Sequence, residues 1–179
     1  MMKKFPLFFT AFLGLCLLST LACAEEISLW NKSQPTGQWR AFGAGMLQAS
    51  PVGIGLSLDT DWAATTFGIG AVFEGGGANP AFPSLADLHT LTVEARSSTA
   101  DGTMLAPEWV VADNKALRVA PAQQVTLTDE WQTFTFRIPD DFPGFGAKSD
   151  QTTALRLLFV NPAKPGRAKV SFRDVRLSP

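Results

Sequence analysis

The sequence predicts an all-β domain, a sandwich or a barrel, and three observations carry that expectation. Short runs of two-residue hydrophobic alternation recur along the chain, clusters of Gly, Pro, Asn, Asp and Ser separate them, and no long helical period is present. The clearest run is in residues 125–139, VTLTDEWQTFTFRIP, which reads as an approach strand, a polar corner and a second strand. Phe134, Phe136 and Ile138 fall on one face, and Trp131, Thr133, Thr135 and Arg137 on the other. Such parity belongs to a strand with one face in a core and the other toward solvent or a ligand. Pro139 ends it, because proline cannot donate to a sheet ladder.

Taken in order, residues 27–30 open the first sheet, and Gln34-Pro35-Thr36-Gly37 is a turn. Residues 39–47, rich in small side chains, read as one strand with a bulge. Residues 53–59 alternate as a strand, as do residues 65–73, with Phe67, Ile69, Ala71 and Phe73 on one side. Gly75-Gly76-Gly77-Ala78-Asn79-Pro80 is a loop. Residues 88–96 form a strand with Leu91, Val93 and Ala95 facing one way and Thr90, Thr92, Glu94 and Arg96 the other. After a polar turn at 97–102 comes a short strand at 108–112 carrying Trp109. Residues 116–127 are broken by Pro121 into two pieces or an edge. Residues 140–150 are a loop holding Phe142 and Phe145. Residues 154–160 are nearly all apolar, as in a strand covered on both faces. A turn at 161–166 leads to the closing strand at 168–177.

The first 24 residues stand apart. Lys3 and Lys4 precede an uncharged apolar run at 7–18, and Ala22-Cys23-Ala24 has the small-x-small pattern of a cleavage site. This is the layout of a secretory signal peptide, so the folded domain is expected to be residues 25–179, secreted or periplasmic in a bacterium. The run is short for about 30 Å of hydrocarbon, and no basic stop-transfer patch follows it, which argues against a membrane span. Lipidation of Cys23 is the other alternative, but Thr20 stands where a lipobox usually has leucine. Both cysteines, Cys16 and Cys23, lie in this leader, so the remaining chain has no disulfide, thiol nucleophile or cysteine metal ligand. Without Lys3 and Lys4 the 15 basic residues become 13, against 16 acidic ones, a net charge of −3. That balance excludes nucleic acid as the expected partner.

The later segments resemble a known family. Asp87-Leu88-His89-Thr90-Leu91-Thr92-Val93 is followed by Thr128-Asp129-Glu130-Trp131-Gln132-Thr133-Phe134, Asp141-Phe142, residues 155–160 and Val170-Ser171-Phe172-Arg173-Asp174-Val175-Arg176-Leu177. This order resembles the galactose-binding-like jelly-roll domains, among them carbohydrate-binding modules of bacterial glycan-degrading enzymes and the complex I intermediate-associated protein 30 domain. It covers roughly residues 53–177. The resemblance implies an antiparallel β-sandwich of jelly-roll type, one sheet of which is concave and presents aromatic and polar side chains to a glycan. It also implies a structural calcium ion near the first and last strands. Arg173 stands where the family usually has the first of two acidic residues, so only Asp174 remains as a calcium ligand.

Five tryptophans and no tyrosine make an unusual aromatic set. An indole stacks on the C–H face of a sugar and donates through its N–H, which makes Trp62, Trp39 and Trp109 candidates for a binding face. Trp62, after Asp59-Thr60-Asp61, has the most polar context. Core packing is the competing reading of each, because large aromatics are mostly buried. Trp131 and Trp30 are assigned to structure. Glu94 and Arg96, in a polar row with Thr90 and Thr92, are candidates for bonding sugar hydroxyls, against an ordinary solvated ion pair.

Catalytic players are sparse. Glycoside hydrolysis needs two carboxylates at a set separation; Glu74, Glu94, Glu108, Asp59 and Asp61 supply carboxylates, but no local pattern pairs them. There is no tyrosine, and any Ser-His-Asp or histidine–metal chemistry would run through the single His89. Asp59-x-Asp61 opens like a calcium loop but has Ala64 at the sixth position and Gly70 at the twelfth, so it is not an EF-hand. The expected function is therefore a secreted, non-catalytic protein that binds a polysaccharide or oligosaccharide, beside a partner glycan-active enzyme. Its rivals are a protein-interaction domain and, behind that, a polysaccharide lyase or hydrolase.

Overall fold

Alternation in sequence becomes alternation in burial. The computed structural model describes residues 25–29, 39–42, 46–49, 56–61, 69–75, 82–98, 102–160 and 167–179. Among these the strands are β1 (Ile27–Ser28), β2 (Trp39–Phe42), β3 (Met46–Ala49), β4 (Leu56–Asp61), β5 (Ile69–Glu74), β6 (Thr90–Ser97), β7 (Met104–Val111), β8 (Lys115–Arg118), β9 (Val125–Thr126), β10 (Gln132–Arg137), β11 (Thr152–Val160) and β12 (Arg167–Ser178). No α-helix occurs among the described residues, and none there is long and apolar enough to cross a membrane.

The strands form two antiparallel sheets, the sandwich expected from the sequence. The first runs β10-β6-β12-β4-β3, with β1 also on β12, and the second runs β2-β5-β11-β7-β8, with β9 also on β7. Strand β6 shows the period-two pattern cleanly: Leu91, Val93, Ala95 and Ser97 are buried, whereas Thr90, Thr92, Glu94 and Arg96 are half-buried on the outer face. Phe136 and Ile138 are buried as their parity requires, and Phe134 is partly buried against the same core. The alternating strand of the 125–139 run lies at the edge of its sheet, since among the described residues β10 pairs only with β6.

Two departures from the expected elements have clear causes. Residues 39–47 are not one bulged strand: β2 belongs to the second sheet and β3 to the first. Strand β7 begins at Met104, well before the expected 108, because seven of its eight residues are buried and no alternation marks it. Pro107 within it is tolerated because its carbonyl accepts the Val119 N–H at 2.9 Å at the break between the β9 and β8 pairings. A strand residue turns its nitrogen and carbonyl to the same side, so the missing N–H falls at that break.

The core lies between the sheets and is strongly aromatic. Trp39 packs on Phe73 and Phe172, with ring centroids 5.5 and 5.2 Å away, and Phe172 meets Phe159. At the other end Trp109 meets Phe82, Phe142 and Phe145. Phe142 and Phe145 come from the loop after β10 and are fully buried, so this loop plugs one end of the sandwich. Asp141 holds the loop: its carboxylate accepts the Arg137 N–H at 2.7 Å and an Arg137 guanidinium N–H at 3.2 Å, while its carbonyl accepts Ala120 N–H. Asp141→Ala leaves a sheltered backbone donor without its acceptor and should cost about 1–3 kcal/mol in urea unfolding. A loss under about 0.5 kcal/mol would mean that the loop does not depend on this carboxylate.

Candidate functional site

In the second sheet, register aligns one residue from each of five strands into two neighbouring rows that point opposite ways. Trp39, Phe73, Leu155, Trp109 and Leu117 pair across the sheet, and all are buried in the core. One residue along each strand, Arg40, Val72, Arg156, Glu108 and Arg118 pair in the same way and face outward. A third row, Glu74, Ala154, Val110 and Ala116, shares that outer face two residues further on.

This outer face is recessed. Val72, Val110 and Ala154 point away from the core yet are buried, forming a separate apolar floor. The Glu108 side chain is 4% exposed and that of Arg156 17%. Beside them a recess of about 240 Å³ is lined by Glu74, Gly75, Val110, Asn114, Thr153, Ala154 and Arg156. Asn114 has φ of 62°, a left-handed conformation that asparagine adopts more readily than most residues, and it forms part of the rim.

The charges on this outer face, beside the recess, are ordered. Glu108 Oε2 accepts hydrogen bonds from Arg118 Nε and Nη2, both at 3.2 Å, and Oε1 accepts one from Arg156 Nη1 at 3.1 Å. Arg40 forms an ion pair with Glu74 at the other side. A carboxylate buried to this extent requires such partners, and here two planar forks fix it. The result is a trough with an apolar floor, fixed donors and acceptors, and open access from one side. Such a surface can hydrogen-bond a polyhydroxylated ligand while its floor takes the ligand's C–H groups.

The structure places the sequence candidates differently. Trp39 and Trp109 are corrected: they are 2% and 0% exposed and lie in the core row, behind the outer face. Trp39 Nε1 donates to the Leu29 carbonyl at 3.0 Å, so its polar end is also used internally. Core packing wins because a large apolar ring gains more from burial between the sheets than from water. Trp62 lies outside the described residues. Glu94 and Arg96 do share a face, as their parity implied, but it is the outer face of the first sheet. There Glu94 pairs with Arg173, and Arg96 lies over the Trp131 ring. Asp174 sits at a bulge of β12 with φ of 51° and pairs with Arg176. No group of three or more histidine, cysteine, aspartate or glutamate side chains that could hold a metal occurs among the described residues.

Arg156, Arg118, Arg40, Asn114 and Thr153 were not singled out from the sequence, and Glu108 and Glu74 stood there only among the carboxylates that no local pattern pairs. A signal was present for two of them: Arg156 interrupts the apolar run 154–160, and Glu108 precedes Trp109-Val110-Val111. A lone charge in a strand otherwise buried on both faces must find an opposite charge.

No protein-family model matches the sequence, and no curated protein is significantly similar to it. Solved structures share its fold. A family 11 carbohydrate-binding module of the cellulosomal cellulase Lic26A-Cel5E of Clostridium thermocellum aligns with a TM-score of 0.61 at 10% identity, over 88% of this chain and 96% of that one. A family 4 carbohydrate-binding module aligns with a TM-score of 0.56 at 16% identity, over 83% and 99% of the two chains. A family 30 carbohydrate-binding module gives 0.61 at 11% identity, over 86% and 87%. The architecture of the chain is therefore that of jelly-roll carbohydrate-binding modules.

Proposed function

We propose that this protein is a secreted, non-catalytic carbohydrate-binding domain that holds a glycan in the charged trough of the second sheet. One observation carries the reading: a face pointing away from the core is nevertheless recessed, with an apolar floor and a pre-ordered Arg118–Glu108–Arg156 array. The fold neighbours support it, one of them a family 11 module in complex with a β-1,3-1,4-mixed-linked tetrasaccharide. Recognition here rests on hydrogen bonds, because no described indole lines the recess. Guanidinium N–H groups, the Glu74 carboxylate and the Asn114 amide supply donors and acceptors suited to vicinal hydroxyls. Both Glu108 oxygens already accept from arginines, which suits a positioning role better than proton transfer.

The test is calorimetry and affinity electrophoresis against plant, algal and bacterial glycans, with Arg156→Gln as the probe. At least one glycan should bind, and Arg156→Gln should weaken it tenfold or more while the protein stays folded by its melting transition. Failure of every glycan to bind well-folded protein would sink the proposal. The rival reading, a protein-interaction domain, draws on the burial of Trp39 and Trp109. It would gain from that same negative result.

A further inference from the structure

A second charged cluster lies on the outer face of the first sheet, across the sandwich from the trough. Gln132 pairs with Ala95, which brings the preceding Trp131 opposite Arg96. The guanidinium carbon of Arg96 stands 4.9 Å from the centroid of the Trp131 ring, and that of Arg173 stands 4.2 Å from it. One half-buried indole thus gathers two guanidinium groups from two strands. Glu94 accepts a hydrogen bond from Arg173 Nε at 2.5 Å and balances one of these charges. The other described ion pairs of this face join Arg176 to Glu26 and to Asp174, and none includes Arg96.

The ring quadrupole attracts each cation to the ring. The two cations beside it repel one another, and among the described residues a single carboxylate, that of Glu94 on Arg173, is paired with either. Arg96, Arg173 and Glu94 together therefore carry one net positive charge. The indole shields one side of each guanidinium from water and limits its rotamers. An arginine fork held in this way matches the two oxygens of a carboxylate or a sulfate ester. Outward-facing Thr92 and Thr133 place hydroxyls beside it for the neutral part of a ligand.

We infer that this cluster is a second binding site, separate from the trough, for an acidic saccharide. A sugar unit bearing a carboxylate or sulfate ester is held by Arg96 and Arg173, whose guanidinium groups both pack on Trp131, with Glu94 orienting the Arg173 fork. A neutral sugar has no group that satisfies the surplus charge and is not selected here.

The experiment titrates the full chain with three probes: an oligogalacturonate, a sulfated galactan oligosaccharide and a neutral mixed-linked glucan tetrasaccharide. Binding is followed by calorimetry and tryptophan emission in wild type, Arg96→Gln, Trp131→Phe and the trough variant Arg156→Gln. At least one acidic probe should bind and perturb emission in a way that Trp131→Phe abolishes. Its affinity should fall tenfold or more in Arg96→Gln, fall with rising salt, and be unchanged in Arg156→Gln. Should Arg156→Gln not fold, Arg118→Gln, at the more exposed end of the trough, takes its place. Which acidic probe binds distinguishes carboxylate from sulfate. The inference is overturned if neither acidic probe binds wild type, if Arg96→Gln binds as well as wild type, or if the trough variant loses the acidic probe.

Discussion

Replacing Trp109 by alanine is expected to cost about 3–5 kcal/mol of folding stability. The ring is fully buried in β7, stacked on Phe145 at 5.4 Å and in edge or tilted contact with Phe82 and Phe142. Its removal opens a cavity among rings that come from a strand and from the loop plugging one end of the sandwich, and so loosens both. Trp109→Phe should cost clearly less. It keeps an aromatic surface and removes an indole N–H that has no hydrogen-bond partner among the described residues, a group that is costly to bury. Guanidinium unfolding of both variants checks the order. Glycan binding supplies the second readout: Trp109→Phe should retain it. A variant of wild-type stability that has lost its glycan would put the ring on the binding surface after all.

Removing the carboxylate at the centre of the trough should have the second large effect. Glu108→Ala leaves Arg118 and Arg156 facing each other without their shared partner. Breaking a buried ion pair from one side typically costs 3–5 kcal/mol. Arg118 is 45% exposed and can turn toward water, so the lower end, about 3 kcal/mol, is expected. Glycan binding should be lost with it, because both guanidinium groups lose the anchor that aims them. Glu108→Gln keeps the shape and some of the hydrogen bonds but not the charge, and should fall between wild type and alanine in both measurements. If Glu108→Ala unfolds within about 0.5 kcal/mol of wild type, the carboxylate is not sheltered and the trough is not pre-ordered.

Much of the architecture was legible because each strand carries its own two-residue period. Leu91, Val93 and Ala95 against Thr92, Glu94 and Arg96 can be read without any neighbour, since opposite faces of a pleated strand meet different surroundings. The break at Pro121 was legible too, and appears as a turn at Pro121–Gln123 between β8 and β9. Strand β7 was legible only in part: Glu108, Trp109 and Val110 present a carboxylate between apolar neighbours, and an apolar residue on each face hides the parity. The same ambiguity allowed Trp109 to be taken for a surface ring.

By itself, then, the sequence determined that the chain makes short antiparallel strands and which side chains of an alternating strand share a face. Those are local properties, set by pleat geometry and by the reach of neighbouring side chains. Only the tertiary structure decided which sheet each strand joins, and so which outward row lies in a recess and which lies on an open face. Arg156, Glu108 and Arg118 are 48 and 10 residues apart along the chain and meet only through the register of β11, β7 and β8. Strand order is set by long-range pairing, in which each strand's hydrogen bonds and buried face must be satisfied at once. No local window of sequence contains that information.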